Sequence, residues 1–171
     1  MSILSRLFAK TDPREAMRPL YNAVVMRGRE AHWYADGAVP DTLDGRFDMI
    51  AGVLSFVLLR LEQEADRKQE SVWLTEIFVD DMDGQLRQIG IGDMIVGKHI
   101  GKMMSALGGR LSAYRSALTG TDGLEEALLR NLYRGNAPGA HEVRHVAQSL
   151  AAFWEALQVT PAEPLLEGRL P

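Results

Sequence analysis

Apolar residues recur at helical spacing along almost the whole chain, and this periodicity limits the possible folds more than any other feature. The most continuous stripe lies in a segment that ends near Glu64, and it is wide enough to indicate a helix in a central position. Its members are Phe47, Ile50, Val53, Leu54, Val57, Leu58 and Leu61. No run alternates between apolar and polar residues for long enough to predict a strand. The pattern therefore predicts an all-α fold.

Capping residues and glycines divide the pattern into about six or seven helices. Asp12, Pro13 and Glu15 provide an N-cap, a first-turn proline and a capping-box glutamate for the first helix. A loop is predicted from about 32 to 41, where glycine and proline interrupt the pattern. Further helices are predicted over about 70–89, 94–118 and 138–157, with a short one before Gly135. The glycine pair at 108–109 is expected to divide residues 94–118 into two helices.

The length of 171 residues suits a single domain. We expect a helical bundle over residues 12–158 and an irregular tail over 159–171, which contains three prolines. Residues 1–11 are expected to be flexible or to lie on a membrane surface. They carry apolar residues on one side and two basic residues on the other, namely Ile3, Leu4, Leu7 and Phe8 against Arg6 and Lys10.

Composition excludes several classes of function. The chain has no cysteine, so disulfides, thiolate metal sites and cysteine nucleophiles are all excluded. With 19 basic and 23 acidic residues, the formal net charge is −4. A DNA-binding domain normally needs a net basic face, so DNA is not an expected partner.

A zinc-protease pattern, HExxH, occurs at His141–His145. Two histidines one turn apart can bind zinc, and the glutamate between them can act as a base. Here, however, both histidines are predicted to fall opposite the apolar stripe of their helix and to face water. No further histidine follows to supply a third ligand. We therefore predict no metal site.

A cluster of aspartates at 80, 81 and 83 could hold magnesium and a diphosphate. Asp83 and Arg87 have the spacing of an ordinary ion pair on a helix, and Asp81 is predicted to lie beside the apolar stripe. We expect no catalytic residue and no cofactor. A magnesium-dependent diphosphate enzyme and a generic homodimeric interaction module remain the alternative hypotheses.

Three blocks of sequence point to a known family. The first is YADGAVPDTLDGRFD at 34–48, and the second is FVDDMDGQLRQIGIGD at 78–93. The third comprises 98–103, 109–111 and Tyr114. In order and spacing these blocks resemble the ubiquinol–cytochrome c chaperone family of alphaproteobacteria and mitochondria, over about residues 18–118. The chain departs from the family pattern at Gly97, commonly proline, and at Gln88, commonly glutamate.

The resemblance implies a helical assembly factor for respiratory complex III, not an enzyme, with newly made cytochrome b as its client. In mitochondria the family also works with a small partner protein at the ribosomal tunnel exit. Separately from the resemblance, the longest apolar run, 53–59, is too short to span a membrane, so a cytoplasmic location is expected, with peripheral contact with the inner membrane as a further expectation.

The candidate partner surface combines the loop of the first block with the acidic helix of the second. Apolar side chains there are expected to contact the client, and charged ones to orient it. The competing interpretation is that the apolar residues fix the loop to the core and that the charges cap helices. The candidate residues are Tyr34, Val39, Pro40, Asp41, Asp44, Arg46, Phe47, Asp80, Asp81, Met82, Asp83, Arg87, Asp93 and Lys98.

Overall fold

The computed structural model describes residues 12–88, 93–120 and 122–171, and within these ranges the chain is helical without strands. A 3-10 turn, Pro13–Met17, opens the fold, and the Asp12 carboxylate accepts a hydrogen bond from the Arg14 backbone N–H. The α-helices are α1 (Arg18–Gly28), α2 (Ala31–Ala35), α3 (Leu43–Leu61), α4 (Lys68–Gln88), α5 (Asp93–Leu118), α6 (Leu124–Asn131), α7 (Ala140–Val159) and α8 (Ala162–Leu166).

The prediction of an all-α fold with about six or seven helices is confirmed, since six of these helices have eight residues or more and the other two have five. The N-terminal segment 1–11, which was expected to be flexible or to lie on a membrane surface, is outside the described residues.

Helix α3 forms the centre of the molecule. Every residue from Asp48 to Leu61 is buried, and α1, α4, α5 and α7 all pack against this helix. A helix that is covered on all sides must be apolar on nearly all sides, which explains its wide apolar stripe.

Helix α5 runs without interruption from Asp93 to Leu118, so the predicted division at residues 108–109 is wrong. Side chains on both sides of the glycine pair are buried, namely Leu107, Arg110 and Tyr114. Packing of these side chains against the core outweighs the weak helix propensity of glycine.

Two segments expected to be irregular contain short helices. Residues 31–35, placed in a loop by the sequence, form α2, whose Trp33 is fully buried. The C-terminal tail forms α8, which buries Leu165. Gly168, at φ +84°, then passes so close to Pro19 that a β-carbon there would lie 2.7 Å from the Pro19 carbonyl oxygen. The tail is therefore packed against the start of α1.

Within the described residues, none of the helices combines the length and apolar character required to cross a membrane.

Candidate functional site

A cavity of about 400 Å³ lies between the N-terminal half of α3, the C-terminal half of α4 and the middle of α5. Three of the predicted surface residues, Asp44, Phe47 and Met82, line it together. The other lining residues are Leu43, Asp48, Gln85, Lys102, Met103, Ala106, Arg110 and Arg134. Its volume falls within the range typical of sites that hold a small ligand or a few side chains of a partner.

The walls of the cavity are largely apolar. Phe47 stacks against Phe78 of α4 with ring centroids 5.6 Å apart, and Met82 is buried. At the mouth, 51% of the Leu43 surface is exposed, and Met103 is half-buried. Methionine side chains are flexible and polarizable, so these walls can adapt to different apolar shapes.

Asp48 lies in the wall of this cavity and is buried, with two arginines around it. Its Oδ1 accepts a short hydrogen bond from Nη2 of Arg110, and its Oδ2 accepts one of 2.6 Å from Nε of Arg134. Burial raises the pKa of the Asp48 carboxyl, while the hydrogen bond from Arg134 and the charge of Arg110 oppose that rise. The carboxylate thereby joins α3 to α5 and to the turn after α6.

Arg110 is 4% exposed, and only some of its N–H groups have hydrogen-bond acceptors. Its Nη2 donates to Asp48 and also to the backbone carbonyl of Asn131, at 3.0 Å. The guanidinium lies 5.7 Å from the centroid of the Phe47 ring. Its Nε and Nη1 have no hydrogen-bond partner among the described residues, although buried N–H groups are nearly always paired.

Arg134 has the left-handed backbone conformation, with φ of +52°, which costs a non-glycine residue about 1 kcal/mol. Its Nη1 lies 2.7 Å from Oδ2 of the exposed Asp44, in addition to the bond from Nε to Asp48. The two ion pairs place Arg134 at the edge of the cavity.

The predicted loop residues Tyr34 and Val39 are fixed to the core, whereas Pro40 is exposed and only its backbone lies against α3. The Tyr34 hydroxyl donates to the Gly28 carbonyl at 2.7 Å, and burial raises the pKa of Tyr34. Val39 is 2% exposed, and the carbonyl of Pro40 lies so close to Gly45 that a β-carbon there would stand 1.9 Å from its oxygen. The contacts of these residues are those expected for anchoring the loop.

Asp41 and Arg46 remain on the surface and pair with each other, Nε to Oδ1, at 2.5 Å. The pair lines a second, more polar cavity together with Tyr34 and Arg29. These residues do not line the α3–α5 cavity.

The aspartates of α4 have separate partners. Asp80 pairs with Arg14 at 2.9 Å, Asp81 accepts a hydrogen bond of 2.6 Å from the Tyr21 hydroxyl, and Asp83 pairs with Arg87 at 2.6 Å. The predicted Asp83–Arg87 pair is therefore confirmed, and so is the position of Asp81 beside the apolar stripe, where it is half-buried. The three carboxylates do not face a common point, so this arrangement does not favour the diphosphate hypothesis.

Arg87 and Lys98 are exposed, and neither is among the described residues that line the α3–α5 cavity. Asp93 begins α5, and its side chain lies outside the described part of the structure.

The histidines of the HExxH pattern differ in exposure. His141 is exposed as predicted, but the prediction that His145 faces water is wrong. Its Nε2 lies 3.0 Å from Nδ1 of His32, whose Nε2 lies 3.1 Å from Glu30. Helix α2, absent from the predicted elements, brings His32 to α7. Among the described residues no three acidic or histidine side chains converge as a metal site would require.

Asp48, Arg110 and Arg134 were not singled out in the sequence as site residues. Asp48 could have been identified from the sequence, because it is a charged residue within a wide apolar stripe. Nothing in the sequence indicates that its partners come from 62 and 86 positions away.

The chain is similar to known proteins in both sequence and fold. The family model described as Ubiquinol-cytochrome C chaperone matches residues 35–170. A solved structure, described as the crystal structure of the Cbp3 homolog from Brucella abortus, superposes with a TM-score of 0.80 at 26% sequence identity. The match covers 98% of this chain and 95% of that one. No curated protein sequence matches the chain significantly.

The matched region contains all of the α3–α5 cavity and most of the helices around α3. The resemblance found in the three sequence blocks is thus confirmed over a longer stretch than those blocks cover. The chain belongs to the ubiquinol–cytochrome c chaperone family.

Proposed function

We propose that the protein binds newly made cytochrome b and protects it until it is assembled into ubiquinol–cytochrome c reductase. Membership of the chaperone family over residues 35–170 is the observation that carries this proposal. A chaperone of this family needs a client, and an unassembled membrane protein offers apolar segments that require cover.

The α3–α5 cavity is the surface that we assign to the client. It has apolar walls, flexible methionines and an exposed leucine at its mouth, which are the properties of an adaptable binding groove. Of the candidate residues, Asp44, Phe47 and Met82 belong to this surface. We propose no role in client binding for the anchored loop residues Tyr34 and Val39.

Affinity capture tests this function. The tagged protein, purified from a membrane extract of its own organism, should carry cytochrome b, and deletion of its gene should lower assembled complex III while other respiratory complexes persist. Unchanged complex III in the deletion strain, with no cytochrome b captured, would refute the proposal. The same capture shows whether ribosomes or a small partner protein accompany the client.

Matched variants locate the binding surface. Leu43→Ser changes an exposed leucine at the cavity, whereas Val72→Ser changes a similarly exposed residue, at 49%, that does not line it. Capture of cytochrome b should fall with Leu43→Ser and remain unchanged with Val72→Ser. Equal capture by the two variants would place the client elsewhere.

A further inference from the structure

Arg110 provides hydrogen-bond donors that the described residues do not use. A guanidinium has five N–H groups and no acceptor. The partners of Arg110 are Asp48 and the Asn131 carbonyl, both reached through Nη2, while Nε and Nη1 have none. A charged group that is 96% buried and incompletely paired is costly, which suggests that an acceptor is supplied from outside.

The charge of the cavity wall favours an anion. Its described charged residues are two acidic ones, Asp44 and Asp48, and three basic ones, Lys102, Arg110 and Arg134. The excess of one positive charge matches a single carboxylate better than a dianionic phosphate, which the nearby aspartates would repel. Lys102 is exposed and has no ion-pair partner in the described part of the chain, so it can attract the anion to the mouth.

The rest of the cavity wall is apolar, so the part of the ligand next to the carboxylate should be apolar as well. Phe47, Met82 and Met103 surround the cavity, and its volume of about 400 Å³ accommodates a few side chains of a helix, not a whole folded surface. Because the unpaired nitrogens are buried, side chains of the wall must shift for a carboxylate to reach them, and the flexible methionines of this wall are the side chains best able to do so.

We infer that the cavity binds an acidic side chain carried on an apolar segment of the client, and that Arg110 is the residue that binds its carboxylate. This inference rests on the proposed function, because it takes the client as the source of the segment. It adds a selection rule: among apolar segments, those with a glutamate or aspartate are preferred.

A pair of peptides tests the rule on the purified protein. One is a helical peptide of leucine and alanine with a central glutamate and terminal lysines, and its twin has glutamine in the same place. The glutamate peptide should bind about ten-fold more tightly by calorimetry, as expected for hydrogen bonds to a charged group. It should also shift the Arg110 Nε–H signal in nitrogen-15 NMR.

Variants of α5 test whether Arg110 causes the preference for the glutamate peptide. Arg110→Met should remove the preference for the glutamate peptide, while Arg115→Met, at an exposed position of the same helix, should keep it.

Ala106→Phe fills the cavity without altering the ion pairs and should weaken the binding of both peptides. Its control is Ser105→Phe, at an exposed neighbouring position that does not line the cavity, which should weaken neither. If Arg110→Met does not fold, the Ala106 and Ser105 pair still tests whether the peptides bind in the cavity, and the Arg110 Nε–H signal still tests the contact with the carboxylate.

Failure of this inference is distinct from failure of the proposed function. If the wild-type protein captures cytochrome b but binds the two peptides equally, the selection rule is wrong and the function stands. If it captures no cytochrome b, the function itself fails. Arg110-dependent binding of a free fatty acid, decanoate, without binding of the glutamate peptide would overturn the assignment to a client segment.

Discussion

At the scale of single residues, Asp48 connects three parts of the chain that are far apart in sequence. Its two carboxylate oxygens hold Arg110 of α5 and Arg134 beyond α6, and one of these arginines is buried. Removing one member of a buried ion pair leaves a charge without compensation, which costs more than the pair itself contributes. The stability of the wall around the cavity therefore depends on this carboxylate.

We expect Asp48→Ala to lower the free energy of unfolding by about 3–5 kcal/mol, because it leaves the buried Arg110 unpaired. Urea denaturation followed by circular dichroism measures the change. Asp44→Ala is the control, since Asp44 pairs with Arg134 at the surface and its loss should cost less than about 1 kcal/mol. Equal losses for the two variants would contradict the role given to Asp48.

Gly45 is a second residue whose surroundings restrict substitution, because they leave no room for a β-carbon. A β-carbon there would stand 1.9 Å from the Pro40 oxygen, so Gly45→Ala must move either the loop or the start of α3. We expect a loss of about 1–3 kcal/mol, as for other overpacked sites, measured by thermal or urea unfolding. Stability equal to the wild type would show that the loop adapts without strain.

At the scale of elements, α5 and α7 show how contacts with α3 maintain one helix and close the end of another. Helix α5 contains glycines whose surroundings are open and remains continuous because its buried side chains pack on α3. The C-terminal end of α7 is closed by Arg60 of α3, whose Nε donates to the Leu157 carbonyl at 3.0 Å and whose Nη2 donates to Thr160 at 3.2 Å. Carbonyls at the end of a helix lack the donor that a continuing helix would supply, and Arg60 adds to the hydrogen bond of 3.3 Å that the Leu157 carbonyl accepts from the Thr160 N–H.

Replacing a glycine of α5 should strengthen the helix. Gly101→Ala adds a β-carbon that meets nothing within 4 Å, and it should raise the free energy of unfolding by about 0.5–1 kcal/mol through helix propensity. Thermal unfolding measures the gain. A loss of stability would contradict the open surroundings of this position.

Loss of the Arg60 cap should be costly. Arg60→Met removes the side-chain donors to the carbonyls of Leu157 and Thr160, and we expect it to cost about 1–3 kcal/mol in urea denaturation. Arg115→Met removes only an exposed pair with Glu62 and should cost less than about 1 kcal/mol. Similar values for the two would argue against the capping role.

At the scale of the whole molecule, the C-terminal tail completes the bundle. Leu165 of α8 is fully buried, and the following turn at Gly168 lies against Pro19 at the start of α1. The tail thus lies against α1 and covers that end of the core. Residues 159–171, taken for an irregular tail, therefore contribute to the fold.

Truncating the Leu165 side chain tests whether packing of the C-terminal tail stabilises the bundle. Leu165→Ala should cost about 2–5 kcal/mol, the range for a buried leucine, whereas Val159→Ala, at a position 83% exposed, should change stability by less than about 0.5 kcal/mol. Chemical denaturation compares the two. A negligible effect of Leu165→Ala would show that the tail is dispensable.

The sequence by itself determined the helical class, the central position of α3 and the ion pair of Asp83 with Arg87. These depend on local periodicity and on spacing within one helix, which a single segment contains completely. It also identified Asp44, Phe47 and Met82 as candidates from the family resemblance. The tertiary structure alone decided that they share a cavity, that Asp48 joins Arg110 to Arg134, and that α5 is unbroken. Those features depend on packing between segments that are distant in sequence. Such packing outweighs local helix propensity, and it produces no periodic pattern within a single segment from which it could be predicted.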